Sequence, residues 1–291
     1  MEAMNPLFAP LAAWYTSNAR DLPWRRPTAT PWGILVSEIM LQQTPAARVI
    51  PYWESWMDLW PEPADLADAT PAEVIQAWGT LGYPRRALRL RECAAVIAEQ
   101  YGQVPDNEED LRALPGIGDY TAAAVAAFAY GKRTVVLDTN IRRVISRAHS
   151  GQALPLPHLT SGERAVAANL VPDDSAESVL WNQSTMELGA VICRARDADC
   201  DSCPVKDLCA WRAAGYPGDL HAGKRRTQPW EGTDRQARGR IMAILREADG
   251  ELVPIDAILA ATPRDHQTLR AIDALIADGL AVRDGEAMRL P

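Results

Sequence analysis

The sequence predicts an all-α protein, on three observations. From Leu111 to Arg143 it reads LRALPGIGDYTAAAVAAFAYGKRTVVLDTNIRR: helical apolar positions run into Pro115-Gly116-Ile117-Gly118, and an alanine-rich helix, Tyr120 to Tyr130, leaves it. From Val49 to Gln100 the pattern is helical again, punctuated by Pro61, Pro63, Pro71, Gly79 and Gly82. Near the end, three more helical stretches lead into a hairpin with Asp284-Gly285 at its turn.

At 291 residues and 47% apolar content the chain can bury a sizeable core and form two or more domains. No apolar run approaches the roughly 18 to 20 residues that span a bilayer. The start, MEAMNPLFAP, has neither the basic segment nor the apolar core of a signal peptide, so a cytoplasmic protein is expected. Net charge is −8, which argues mildly against a nucleic-acid partner, although clustering matters more than the total. Basic clusters stand at Arg25-Arg26, at Arg85, Arg86, Arg89 and Arg91, at Arg142, Arg143 and Arg147, and from Lys224 to Arg226. Each alone reads as a solvated helix face. Ten tryptophans, mostly in the first third, have spacings that suit a helical core.

The elements follow in order. A helix over Leu7 to Asn18 precedes the loop Arg20-Asp21-Leu22-Pro23-Trp24-Arg25, and Pro31 opens the next helix, PWGILVSEIMLQQT. There Ile34, Leu35 and Leu41 lie three or four positions from Glu38, so the carboxylate falls on the apolar face. Burial raises a carboxyl pKa, as a general acid near neutral pH requires; the alternative is a structural Glu paired with a buried Arg. Gln42, Gln43 and Thr44 close that helix, with side chains that can read base edges or cap a turn. In Leu81-Gly82-Tyr83-Pro84-Arg85-Arg86 an aromatic ring sits beside a stiff turn and two arginines, suiting either a wedge with phosphate contacts or a core Tyr with a basic surface.

Gly116 and Gly118 let the hairpin turn sharply, so that N-H groups at the mouth of the next helix can grip a phosphate. Gly131 stops that helix, the β-branched and apolar run Thr134 to Leu137 follows, and Asp138 arrives either as a functional carboxylate or as the cap of a helix over Thr139 to Arg147. A Pro- and Leu-rich loop, Gly151 to Gly162, leads into helix from Glu163 to Val191.

Cys193, Cys200, Cys203 and Cys209 follow as C-x6-C-x2-C-x5-C within seventeen residues, while Cys93 stands alone in a helical apolar run as core packing. In a cytosolic chain of this size four such cysteines favour a metal site over disulfides, and zinc or an iron-sulfur cluster would both use four thiolates. Residues 213–234 read as a linker. Residues 235–291 form a small winged-helix-like unit: helices from Arg235 to Glu247, Ile255 to Ala261 and Arg264 to Asp278, then the hairpin.

With these residues placed, the chain resembles the helix-hairpin-helix DNA glycosylases that carry a [4Fe-4S] cluster, and within them the adenine glycosylases of the MutY type. LPWR, SEIMLQQT, LGYPRRA, LPGIGDYTA, LDTNIRRV, MELGAVIC and the cysteine spacing occur in the family's order, from about Leu22 to Trp211. The resemblance implies a six-helix barrel over residues 30–136 and a cluster lobe joining residues 1–29 to 137–212, with double-stranded DNA across the cleft and the target base flipped out. It implies a monomeric, nucleoid-associated repair enzyme for adenine mispaired with 8-oxoguanine or guanine. It assigns Glu38 to protonation of adenine N7 and Asp138 to stabilising the cationic sugar, with Tyr120 and Asn140 lining the pocket. It implies DNA contacts for Arg25, Gln42, Gln43, Tyr83, Gly116 and Gly118, with Arg85, Arg86, Arg142 and Arg143 as basic candidates, and a cluster on Cys193, Cys200, Cys203 and Cys209.

Relatives of the endonuclease III type carry a lysine where this chain has Tyr120, so a monofunctional glycosylase is expected. The chain departs from the family twice. The usual Asp-Gly-Asn is Asp138-Thr139-Asn140 here, and the residues after the linker are too few and too helical for the MutT-like domain that reads 8-oxoguanine. A thymine glycosylase for T:G mismatches is the second enzyme reading, which Glu38 disfavours because thymine has no N7. A DNA-binding or redox-sensing cluster protein is the third.

Overall fold

The computed structural model describes residues 5–225, 231–262 and 265–291. Its helices are α1 (Phe8–Asn18), α2 (Pro31–Met40), α3 (Ala46–Leu59), α4 (Pro63–Asp68), α5 (Pro71–Trp78), α6 (Arg85–Val96), α7 (Glu108–Ala113), α8 (Asp119–Tyr130), α9 (Thr139–Ala148), α10 (Ser161–Leu170), α11 (Ser175–Val191), α12 (Ala210–Ala213), α13 (Asp234–Glu247), α14 (Ile255–Ala261) and α15 (Asp265–Ala277). Strands β1 (Val253–Pro254), β2 (Val282–Asp284) and β3 (Ala287–Arg289) form one antiparallel sheet in the order β1-β3-β2. The protein is thus mostly helical. No helix among the described residues is long and apolar enough to cross a membrane.

Contacts divide the chain into two units. One gathers residues 1–34, 106–112 and 117–226, the other residues 35–105, 113–116 and 227–291. α8 lies in the first unit. There α8, α9 and α11 enclose a core of Ala123, Ala124, Ala127, Ile141, Val144, Trp181 and Leu188. α8 can lie this deep because Thr121 and a nearly unbroken alanine run give it a small-residue surface on every side.

The stretch expected to be helical from Glu163 to Val191 holds two helices, α10 and α11. Pro172 cannot continue the ladder, and the Asp174 carboxylate accepts a 3.0 Å bond from the Glu177 N-H to start α11 afresh. The run Thr134 to Leu137 pairs with no strand: the Thr134 carbonyl accepts instead from the Asn182 side chain at 3.0 Å.

In the second unit Trp56 packs edge-on against Trp60 and Trp78, with centroids 4.8 and 5.4 Å away, as expected of tryptophans in a helical core. Residues 231–262 and 265–291 fold as three helices and a small sheet around Ile241, Leu245, Ile272, Leu275 and Met288. Ile75 of α5 is fully buried in that same core. The linker stretch is therefore followed by a unit that packs back onto α5.

Candidate functional site

In the first unit the site begins at Asp138, which caps α9 as the sequence allowed and also binds the Asn140 side chain. Its Oδ1 accepts from the Ile141 N-H at 2.6 Å and so caps α9, while its Oδ2 accepts from the Asn140 side chain at 2.7 Å. Desolvation pushes the Asp138 carboxyl above its ordinary range, against the pull of those hydrogen bonds and of the Arg143 charge. The result is a carboxylate held in place and short of solvent, a good partner for a nearby positive charge.

Asn140 is fixed in turn. Arg143 donates to its Oδ1 at 2.8 Å and also to the carbonyls of Gly189 and Cys193, at 2.6 and 2.7 Å. α9 meets α11 at Gly189, where an added Cβ would stand 2.6 Å from the Asn140 Cβ. No side chain fits there. A string of hydrogen bonds thus runs from Asp138 through Asn140 and Arg143 to the first cysteine of the cluster of four.

Beside it lies a group the sequence reading did not single out. Glu187 of α11 is fully buried and takes a two-pronged bond from Arg20, at 2.6 and 2.8 Å, plus a contact from Arg25 at 3.0 Å. Desolvation opposes its charge, but the Arg20 bonds and the Arg25 charge outweigh it and hold the carboxyl low. The other terminal nitrogen of Arg25, Nη1, is buried and makes no hydrogen bond. Glu187 was detectable by the argument used for Glu38: it is the charge inside the apolar MELGAVIC run. Tyr120, the second residue of α8, packs part-buried against the core of the first unit.

In the second unit Glu38 is buried on α2, 5% exposed among Leu35, Val36 and Ile39, as its spacing predicted. The end of α2 is held by Arg86, which donates to the carbonyls of Ile39, Gln42 and Gly82 at 2.9, 2.5 and 3.0 Å. Burial pulls its pKa down to about 10. Arg86 thereby joins the Gln42-Gln43 turn to the Tyr83 loop. Gln43 and Tyr83 both have left-handed backbones, φ +58° and +50°, and Tyr83 is 43% exposed. Such conformations persist only where the surroundings enforce them, and they cluster at binding sites.

Three of the basic candidates have their donors engaged within the protein. Arg86 holds carbonyls, Arg142 grips Glu163 at 2.7 and 2.8 Å together with the Leu156 carbonyl, and Arg143 is buried behind Asn140. Their donors are taken up by backbone carbonyls and, for Arg142 and Arg143, also by the side chains of Glu163 and Asn140. Arg85 stays at the surface and pairs with Asp278 at 3.2 Å. In the hairpin Gly116 needs its left-handed φ of +78°, while Gly118 caps α8 in extended backbone, with nothing within 4 Å of an added Cβ.

The four cysteines are free thiols lining one pocket with Arg147, Ile192, Lys206, Trp211 and Arg212. Arg147 donates to the Cys193 sulfur at 3.4 Å and lies 4.4 Å over the Trp211 ring. Burial and the neighbouring sulfurs push the Cys200 thiol up, and the Cys203 thiol to about 11, so the uncompensated thiolates resist ionising together. Among the described residues no His, Cys, Asp or Glu side chains converge as a single-ion set. Four cysteine sulfurs on one pocket, next to Arg147, Lys206 and Arg212, are a donor set of the kind that zinc or an iron-sulfur cluster uses. Cys93 is buried apart, its thiol pushed up to about 12.

Residues 36–167 match the model of the HhH-GPD superfamily base excision DNA repair proteins. The chain is 48% identical over 275 residues to the adenine DNA glycosylase of Mycobacterium tuberculosis, covering 94% of this chain and 89% of that one. It is 36% identical to the thymine-DNA glycosylase of Aeropyrum pernix, over 69% of this chain and 92% of that protein. Among solved structures, a thermostable thymine-DNA glycosylase superposes with a TM-score of 0.64 at 30% identity, over 71% of this chain and 95% of that one.

Proposed function

The chain belongs to the adenine DNA glycosylases of the HhH-GPD superfamily, enzymes of base excision repair, and from that premise we propose that it hydrolyses the N-glycosidic bond of adenine mispaired with 8-oxoguanine or guanine in double-stranded DNA. The observation that carries the chemistry is Asp138, a fixed and poorly solvated carboxylate. Breaking the bond places positive charge on the sugar and negative charge on the departing base, so it calls for one ionised and one protonated carboxyl.

Glu38, buried on α2, gives its proton to adenine N7, and the electron pair of the glycosidic bond leaves with the base. Asp138 stabilises the oxocarbenium ion, and water adds to the sugar carbon and loses a proton, leaving an abasic site. Tyr120 and Asn140 line the pocket, and Arg25 keeps one buried donor without a hydrogen-bond partner. Tyr120 offers no amine for a Schiff base, so the enzyme is monofunctional. Gln42, Gln43, Tyr83 and Arg85 contact DNA around the flipped base, and the Gly116–Gly118 hairpin grips a phosphate.

Cys193, Cys200, Cys203 and Cys209 would hold a [4Fe-4S] cluster, which supplies a rigid cross-link for the 193–209 segment. Arg143 and Arg147 tie that segment to α9 and so to Asp138. The enzyme acts as a monomer on chromosomal DNA in the cytoplasm.

A thymine glycosylase is the second reading, favoured by the Aeropyrum pernix relative. Single-turnover base release followed by alkali cleavage, on duplexes carrying A:8-oxoguanine, A:G, A:C and T:G, separates the two. Release of adenine, abolished in Asp138→Asn, is the expected result; cleavage confined to T:G overturns the assignment of Glu38.

A further inference from the structure

The C-terminal unit reaches the Tyr83 loop. The Arg235 guanidinium, in the first turn of α13, lies 5.1 Å from the centroid of the Tyr83 ring, and that of Arg86 lies 5.6 Å from it. Among the described residues Arg235 makes no ion pair with a carboxylate, and its exposed side chain lies against the ring.

The base of that arginine is fixed. Thr233 caps α13 by accepting from the Gln236 N-H, the Gln236 side chain accepts from the Gly232 N-H at 2.9 Å, and Gln267 of α15 donates to the Gly232 carbonyl and to Asp234, at 2.9 and 3.0 Å. Asp278, at the end of α15, takes both Arg238 of α13 and Arg85 of the Tyr83 loop. Beneath, Ala72, Ile75 and Leu88 pack into the core of the C-terminal unit.

We propose that Arg235 is a positioning residue for Tyr83, and that through it the C-terminal unit forms part of the surface that reads the strand opposite the target adenine. This rests on the reading of Tyr83 as an intercalating ring. A half-exposed tyrosine on left-handed backbone has several directions open to it. A guanidinium over its face restricts the ring, and places a positive charge where the opposite strand's phosphates must pass.

The test uses the full-length protein with Arg235→Gln, Arg235→Lys and, as a control for charge alone, Arg240→Gln, an exposed arginine of the same helix that does not touch Tyr83. Adenine release and duplex affinity are measured on A:8-oxoguanine and A:G, in wild-type and Tyr83→Ala backgrounds. Arg235→Gln is expected to reduce the preference for A:8-oxoguanine about two- to five-fold, the size of one exposed cation-π contact. Arg235→Lys should retain part of it, and the loss should vanish in the Tyr83→Ala background. An equal loss in Arg240→Gln, or an undiminished loss without Tyr83, overturns the proposal. Failure of the wild type to release adenine would count against the glycosylase reading, while the affinities would still decide the role of Arg235.

Discussion

At the scale of single residues, Asp138 combines the cap of α9 with a bond from Asn140 on one buried carboxylate. The cap bond from Ile141 and the bond from Asn140 hold an anion that desolvation disfavours. Its folded-state pKa lies above its unfolded value, so the ionised form costs stability; that cost is complete above the folded pKa and falls away as pH drops through it. Asparagine caps helices as well as aspartate does. Asp138→Asn is therefore expected to stop base release while leaving the thermal midpoint at neutral pH unchanged or higher, and a midpoint well below wild type would refute the buried-charge argument. Asn140→Ala removes a hydrogen bond that favours the charged carboxylate, so Asp138 should titrate higher still. The rate should then fall most at the acid end of a single-turnover pH profile, with a smaller loss, about tenfold, above neutrality; an unshifted acid limb would remove Asn140 from the titration of Asp138. Asp138 and Asn140 were legible in the sequence because they share one short motif. Glu187 was legible as a charge inside an apolar run, but its pairing with Arg20, 167 positions away, was not, because only the fold brings the two charges together.

At the scale of elements, Arg86 is the clearest difference between charge pattern and structure. The run Arg85-Arg86 reads as basic surface, yet the Arg86 guanidinium closes the end of α2 against the Tyr83 loop. Sequence shows a cation near a turn but not the carbonyls that a helix end leaves open toward it. Arg86→Gln strips donors from buried carbonyls and should lower stability by roughly 2–4 kcal/mol. The slope of duplex affinity against salt should stay as in wild type, because no phosphate contact is lost; a slope shallower by about one ion would restore Arg86 to the DNA surface. α1, α8, α9 and the C-terminal helices were legible within a residue or so, since each combines apolar spacing with a cap or a stop. The break between α10 and α11 was not, because apolar spacing continues on both sides of Pro172. Nor was the unpaired run at Thr134, whose carbonyl is satisfied by Asn182, 48 positions away.

At the scale of the whole molecule, composition and packing disagree about residues 231–291. Glycine, proline and charge before them suggest a tether, yet their core takes in Ile75 of α5, and Gln76 of the same helix donates to the Arg246 carbonyl at 3.0 Å. Burying a side chain of that size is worth about 1.5–3 kcal/mol relative to leaving it in water. Asp278 adds ion pairs to Arg85 and Arg238, and part-exposed pairs of this kind contribute less. The apolar contact therefore dominates, and the C-terminal unit should open together with α5 and α6. Native-state hydrogen exchange measures this directly: amides of α5 and α13 should share one opening free energy, and Ile75→Ala should lower both by the same amount, about 2–5 kcal/mol. If α13 exchanged at a lower free energy than α5, and Ile75→Ala moved one set without the other, residues 231–291 would be a tethered module and the contact with α5 incidental.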